Sequence, residues 1–407
     1  MEDGMSLTRP NKTNIPLWQD THKRQILAQF IFAVLVIVIV SLLYGNIIDS
    51  LSEIGMIPSF RFLRMDSNID ISESIISVDN TSSNLRLIVS GFLNTISISF
   101  LAIIFSTILG LIIALCRLST NYLINKLAVI YIEIIRNIPL LLLLLIWYRA
   151  FFLKLPGIKE AIIFGKTLQE GGQTQLSFSL SNRGISMAWL RPSDHFTPFL
   201  VCMAIAFVVA VALGIFLKHR ENHTGKEQRI ILFPFLLFIG LSLISYALLP
   251  NAALQKDIPV LGKFNISGGL HITAEWFSLF SGLILYTSAF IAEIFRAGIQ
   301  GIPKGQIEAA RSLGLSHMKT IRLVIIPQAK VVIIPPLTSQ YLGVAKNTSL
   351  GVAIGFPDLF AITGTIINQS GRALEMIILV MAIYLILSLL TSLIMNLYNS
   401  RIQIKER

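Results

Sequence analysis

The chain has 407 residues, 54% of them hydrophobic and only 14% charged, with a mean hydropathy of +0.72 and a formal net charge of +11. Soluble domains carry about 25% charged residues, so so little polar surface excludes the ordinary globular class and marks an integral membrane protein. The positive charge reads as a topology signal, and nucleic-acid binding is not expected.

Apolar runs long enough to cross about 30 Å of hydrocarbon as helices fall at about eight places. They are 26–44, 87–115, 127–153, 198–217, 231–249, 276–296, 329–354 and 374–397. The first follows Thr-His-Lys-Arg-Gln and a polar leader without a small-residue cleavage pattern, so it reads as a retained anchor. Residues 1–86 are then a cytoplasmic amino terminus, this extra span and an outer loop, in which Asp49, Glu53, Asp66, Asp70, Glu73 and Asp79 outnumber the bases. Lys23 and Arg24, Arg117 and Lys126, the basic stretch 218–229 and the tail 399–407 all fall on one side of an eight-span chain. Basic residues in short connections resist translocation, so both termini are expected to be cytoplasmic. The loop 154–197, with Lys154, Lys159, Lys166, Arg183 and Arg191, weighs against this, although long loops obey the rule poorly.

Cys116 and Cys202 lie in or beside apolar runs, without the spacing of a disulfide framework or a metal pair, and read as packing residues. Within the spans, Glu133 with Arg136 and Glu293 with Arg296 have the i, i+3 spacing of paired, snorkelling helix ends. An ion-coupled carrier would instead place acids at mid-membrane.

Between the sixth and seventh runs lies a soluble-looking corner, 297–328, containing Glu-Ala-Ala-Arg-Ser-Leu-Gly-Leu-Ser-His-Met-Lys-Thr-Ile-Arg-Leu-Val-Ile-Ile-Pro from 308 to 327. It reads as two short helices. Pro303 suits a first turn, Glu308 an early position favoured by the helix dipole, and Gly314 a left-handed C-terminal stop. Ser316 would cap the second helix, with Met318, Ile321, Val324 and Ile325 on one face and Lys319 and Arg322 on the other, until Pro327 halts it. Ala309 and Ala310 would let a partner approach the first helix closely. By spacing alone the corner is an ordinary loop, a helix-turn-helix lacking base-reading residues, or a docking element for a cytoplasmic motor.

In the seventh run, Lys346, Asn347, Thr348 and Ser349 together offer a cation and several hydrogen-bonding groups. Lys346 either reaches the outer interface or lines a cavity, beside a helix expected to break at Pro335 and Pro336. Phosphate-loop, zincin and nucleophile-elbow motifs are absent from the sequence, so neither a catalytic nor a metal site is expected.

The corner resembles the EAA loop of ABC importer permease subunits, matching it at Glu308, Ala309, Ala310 and Gly314, while Ile325, Ile326 and Pro327 keep its distal end, with Ile326 where the pattern usually has Leu. The stretches 91–119, 131–148, 286–310 and 335–359 resemble blocks of the polar amino-acid permeases, closest to the general L-amino-acid subgroup. The resemblance implies an all-α membrane protein of about eight spans containing the family's five-helix core. In this reading 87–398 is the transmembrane domain, 154–275 inserts two extra spans into it, and 297–328 is the coupling loop. It also implies a transport subunit that is not itself an enzyme, importing L-amino acids across the bacterial inner membrane; a passive channel or an ion-coupled carrier is the alternative. The implied partners are a second permease subunit, two cytoplasmic ATPases that use ATP, and a periplasmic amino-acid-binding protein, with no cofactor held by this chain. Glu308, Ala309, Ala310 and Gly314 are the expected coupling residues, and Lys346, Asn347, Thr348 and Ser349 the expected substrate path.

Overall fold

The structure is a computed structural model that describes residues 21–53, 59–71, 73–168, 174–193, 196–224, 230–249, 254–262 and 266–402. Part of the expected tail and most of the amino terminus lie outside these. A long first helix, α1 (Thr21–Glu53), precedes the rest. α2 (Asn84–Arg117) begins where the Ser83 hydroxyl accepts the Arg86 amide, satisfying an end group that the helix cannot bond itself.

α3 (Tyr122–Asn137) and α4 (Leu140–Ile146) lie in the third apolar run, and the helices of this run are bent by 104° where they meet. The expected single span is therefore broken. Pro139 supplies no amide hydrogen and holds Ile138 extended, at φ −95 and ψ 126, so the helix cannot continue. A π-helical turn, Trp147–Phe151, extends α4 outward.

The inserted region departs furthest from an all-helical expectation. Strands β1 (Ile162–Leu168), β2 (Thr174–Ser181), β3 (Gly184–Met187) and β4 (Trp189–Pro192) precede two helices, α5 (Phe196–Thr224) and α6 (Leu232–Leu248). Strands β5 (Leu254–Asp257), β6 (Val260–Leu261), β7 (Ile266–Ser267) and β8 (Leu270–Thr273) follow them. A six-stranded antiparallel sheet runs β7-β6-β2-β3-β8, with β1 also on β2, while β4 and β5 form a separate ribbon. Chain segments on both sides of the α5–α6 hairpin thus build one sheet.

The remaining helices are α7 (Ala274–Gln300), α8 (Lys304–Ser312), α9 (His317–Thr320), α10 (Ile326–Asn347), α11 (Leu359–Ser370) and α12 (Ala373–Ile402). Among the described residues six helices are long and apolar enough to cross a membrane, seven if the bent pair counts as one span. The other expected span corresponds to α6, a shorter apolar helix of 17 residues.

α2 and α7 pack along their lengths. A side chain at Gly110 would sit 2.6 Å from Ile291 Cγ2 and 3.1 Å from the Ser288 carbonyl oxygen, so only glycine permits this approach. At mid-height Ile98 and Ala102 meet Leu144, Leu279, Leu283 and Val344 in one buried cluster. At one end Leu87 and Ile88 join Leu359, Ile362 and Met376; at the other Ile291 joins Ala329, Ile333 and Leu337. α10 passes through Pro335 and Pro336 without a break, correcting the sequence expectation. Both prolines are exposed, while Ile333, Ile334 and Leu337 beside them are buried and keep the helix packed. Nor does Pro327 halt the pattern: one helix runs through it from His317, with the π-helical turn Ile321–Ile325 immediately before it.

Candidate functional site

The corner between α7 and α10 is two helices set by one stop signal. Gly314 has φ +74, and its amide donates to the Arg311 carbonyl at 2.9 Å while the Leu315 amide donates to the Ala310 carbonyl at 3.1 Å. This pair of bonds satisfies the last carbonyls of α8 and turns the chain sharply; a side chain at Gly314 would meet nothing within 4 Å. The constraint on this residue is therefore backbone conformation. Ser316 holds the N-cap position of α9, although its side chain makes no capping bond there.

Three of the four expected coupling residues, Glu308, Ala309 and Gly314, are exposed, whereas Ala310 is buried at 4%. Close approach by a partner is thus open at Ala309 and not at Ala310. Glu308 is the fifth residue of α8, whose first turn holds no acid, so the helix dipole is not what it serves. Beyond α9 the helix passes through a π-helical turn, Ile321–Ile325, directly into α10. Ile321, Val324 and Ile325 are half-buried, while Lys319 and Arg322 face out as expected. Met318 departs from the expected face: it is 70% exposed, as are Leu313 at 81% and Leu323 at 61%. These large apolar side chains crown the corner without a partner. Glu293 and Arg296, one turn inside α7, form their ion pair at 2.7 Å. Arg136 instead lies over the Phe290 ring, 5.1 Å from its centre, and no ion pair among the described residues joins it to Glu133.

At the far end of α10 the expected substrate-path residues divide. Lys346 and Ser349 line a cavity of about 630 Å³ with Phe360, Val380, Met381, Tyr384, Leu385 and Ser388. Lys346 is exposed, and none of the ion pairs among the described residues includes it. Thr348 is fully buried and donates to the Ala345 carbonyl at 3.0 Å, while the Ser349 hydroxyl donates to the Lys346 carbonyl at 2.7 Å. Asn347 is half-buried and does not line the cavity. Behind the cavity wall the Tyr384 hydroxyl donates to Asp358 Oδ2 at 3.4 Å, and Asp358 Oδ1 accepts the Ala361 amide at 2.8 Å as the cap of α11. The arrangement offers a carboxylate the Lys346 cation and the Ser388 hydroxyl, with an apolar wall alongside, while the Thr348, Ser349 and Tyr384 protons are committed within the protein. Phe360 and Tyr384 were missed by sequence reading because they come from α11 and α12 and have no spacing relation to Lys346. Among the described residues no group of three or more His, Cys, Asp or Glu is placed to hold a metal ion.

Residues 106–404 match the family described as "Binding-protein-dependent transport system inner membrane component". This chain belongs to that family. Over 94% of both chains it is 44% identical to the "Putative amino-acid ABC transporter permease protein YhdX" of Escherichia coli (strain K12). It is 38% identical to the "General L-amino acid transport system permease protein AapQ" of Rhizobium johnstonii, over 95% of this chain and 94% of that one. It is 36% identical to the "Glutamate/glutamine/aspartate/asparagine transport system permease protein BztB" of Rhodobacter capsulatus, over 95% and 96%. The inserted region is thus within the span shared with these relatives, and an inner-membrane transport component is the setting in which the corner and the cavity are to be understood.

Proposed function

We propose that this chain is the membrane permease of an ATP-driven importer of L-amino acids. The observation that carries this reading is the exposed corner α8–α9, held by the Gly314 turn and continuous through a π-helical turn with α10. A helix end joined without a loop to the helix bearing Lys346 is built to pass displacement from a cytoplasmic partner to the cavity. Leu313, Met318 and Leu323 supply the apolar contact. Glu308, Ala309 and Gly314 present the backbone and charge of α8 to an ATPase, while Ala310 fixes α8 from within.

The relatives support amino acids as cargo, and their names describe permeases of amino-acid transport systems. The assembly proposed contains a second permease subunit, two ATPases on the cytoplasmic side with both termini, and a periplasmic amino-acid-binding protein. ATP is used by the ATPases, and this chain holds no cofactor. Lys346 meets the substrate carboxylate, with Ser349 beside it in the cavity lining and Thr348 and Asn347 shaping the wall behind.

The test is uptake of a panel of labelled amino acids by vesicles containing the reconstituted complex. ATP-dependent accumulation is expected, and Lys346→Met should raise the half-saturating concentration of the docked binding protein's cargo more than it lowers the ATPase rate. Uptake independent of ATP, or robust ATP hydrolysis by this chain purified alone, contradicts the assignment.

A further inference from the structure

The β4–β5 ribbon stands apart from the six-stranded sheet and sits where the α5–α6 hairpin ends. β4 finishes at Pro192, and the Phe196 amide at the start of α5 donates to the Ser193 carbonyl at 3.1 Å. β5, the other strand of the ribbon, begins at Leu254, soon after α6 ends at Leu248. Both strands are therefore tethered to the same end of an apolar helix pair whose first member is long and apolar enough to span a membrane.

All four residues of β4 are exposed, including Trp189 at 51% and Leu190 at 48%. Successive strand residues point to opposite faces, so the ribbon carries a large apolar side chain on each face. Lys256 pairs across from Leu190, and these two line a shallow cavity of about 360 Å³ with Ala188, Trp189 and Leu254. Tryptophan, leucine and a long lysine side by side at the mouth of a spanning hairpin is the composition of the bilayer interface, where an indole ring and a snorkelling ammonium are both satisfied.

We propose that the β4–β5 ribbon is seated in the lipid headgroup layer and fixes the inserted sheet to the membrane surface. Arg191 carries the constraint onward. Its Nε lies 2.7 Å from Asp257 Oδ2, and its Nη2 donates to the Gly269 carbonyl at 3.0 Å, tying the ribbon to the turn before β8. β8 in turn runs without interruption into α7, with Thr273 as the helix cap. The sheet is thus held at two points, by α7 of the core and by lipid. This holds whether or not the cargo is an amino acid, since it uses none of the cavity residues.

The test places a nitroxide label at Leu190→Cys in a Cys116→Ser, Cys202→Ala background, with the full importer in lipid nanodiscs. Thr167→Cys, exposed on β1, and Leu236→Cys, exposed on α6, serve as water and lipid references. The Leu190 label should be relaxed by oxygen several-fold more strongly relative to a water-soluble nickel chelate than the Thr167 label, at a depth short of Leu236. A relaxation ratio equal to that of Thr167 overturns the proposal, as does shielding from both reagents, which would place a protein partner there. Lys256→Cys, directly across the ribbon, gives the same comparison if Leu190→Cys does not fold.

Discussion

The α2–α7 seam and the α5–α6 hairpin are both pairs of apolar helices, held together in different ways. In the seam, Gly110 admits the opposing backbone, and Ser106, Thr287 and Ser288 are buried with Ile98, Leu283 and Ile291. In the hairpin, Phe207 meets Phe238 edge-on at 6.3 Å and Gly214 faces Pro234, but Val208, Phe233, Phe235 and Leu236 are left exposed. Lipid is as apolar as leucine, so helices in a bilayer gain little by hiding large side chains and much by close approach of small ones. The seam is consequently a close-packed block. The hairpin is an appendage, joined to that block through the sheet and Thr273.

The sidedness of the two regions gives the largest expected contrast. In a cysteine-free background, Thr167→Cys on β1 should react fully with an impermeant thiol reagent added outside sealed cells, and His219→Cys near the end of α5 should react only after lysis. Equal reaction at both sites would remove the hairpin from the membrane and the sheet from the periplasm.

Packing gives the next. Gly110→Val forces atoms against Ile291 and the Ser288 backbone, and overpacking of this kind costs about 1–3 kcal/mol. A lowered midpoint of thermal unfolding in detergent is expected, whereas Gly240→Val in α6, with nothing within 4 Å, should leave it unchanged. Equal effects at the two glycines would erase the distinction between seam and hairpin.

The smallest effect belongs to the joint between the regions. The Glu73 carboxylate accepts a hydrogen bond from the Thr273 hydroxyl, and its pKa is raised to about 7. Burial is the main cause, opposed by the Thr273 hydroxyl and assisted by the charge of Glu275. A carboxyl raised above its unfolded value of 4.5 binds its proton more tightly when folded. Its contribution is therefore fully present below pH 4.5 and is lost as pH rises through about 7. His271, which burial holds below the ordinary histidine range, acts with the opposite sign, losing stability as pH falls. Amide protection of residues 271–276, corrected for intrinsic exchange, should decline modestly from pH 5.5 to 8, and Glu73→Gln should flatten the decline. An unchanged slope in that variant would assign the effect elsewhere.

Spans were legible because each is a run of about 20 apolar residues, a signal that survives any arrangement of neighbours. The Gly314 stop was equally legible, since a short polar helix followed by glycine and serine admits few other turns. The sheet was hidden. Its strands are short, β6 and β7 have two residues each, and the two halves lie on either side of the hairpin. The break at Pro139 was not expected, because the leucine run after it continues the apolar pattern and reads as one span. Pro335 and Pro336 misled in the other direction, because burial of Ile333, Ile334 and Leu337 keeps α10 helical through them. The inward turn of Ala310 and the place of Tyr384 in the cavity depend on which helices meet, which no local pattern encodes.

Whether the corner drives the seam is tested most directly at Gly314. A β-branched residue at φ +74 is strained by about 1–2 kcal/mol or changes the turn, while open space around the position spares the packing. Gly314→Val should therefore reach the membrane at near-normal abundance, and ATP-dependent uptake per molecule should fall at least about tenfold, the loss expected if the barrier to the coupled step rises by about 1.4 kcal/mol or more. Wild-type uptake by Gly314→Val at matched abundance would contradict the account and reduce the corner to an ordinary loop.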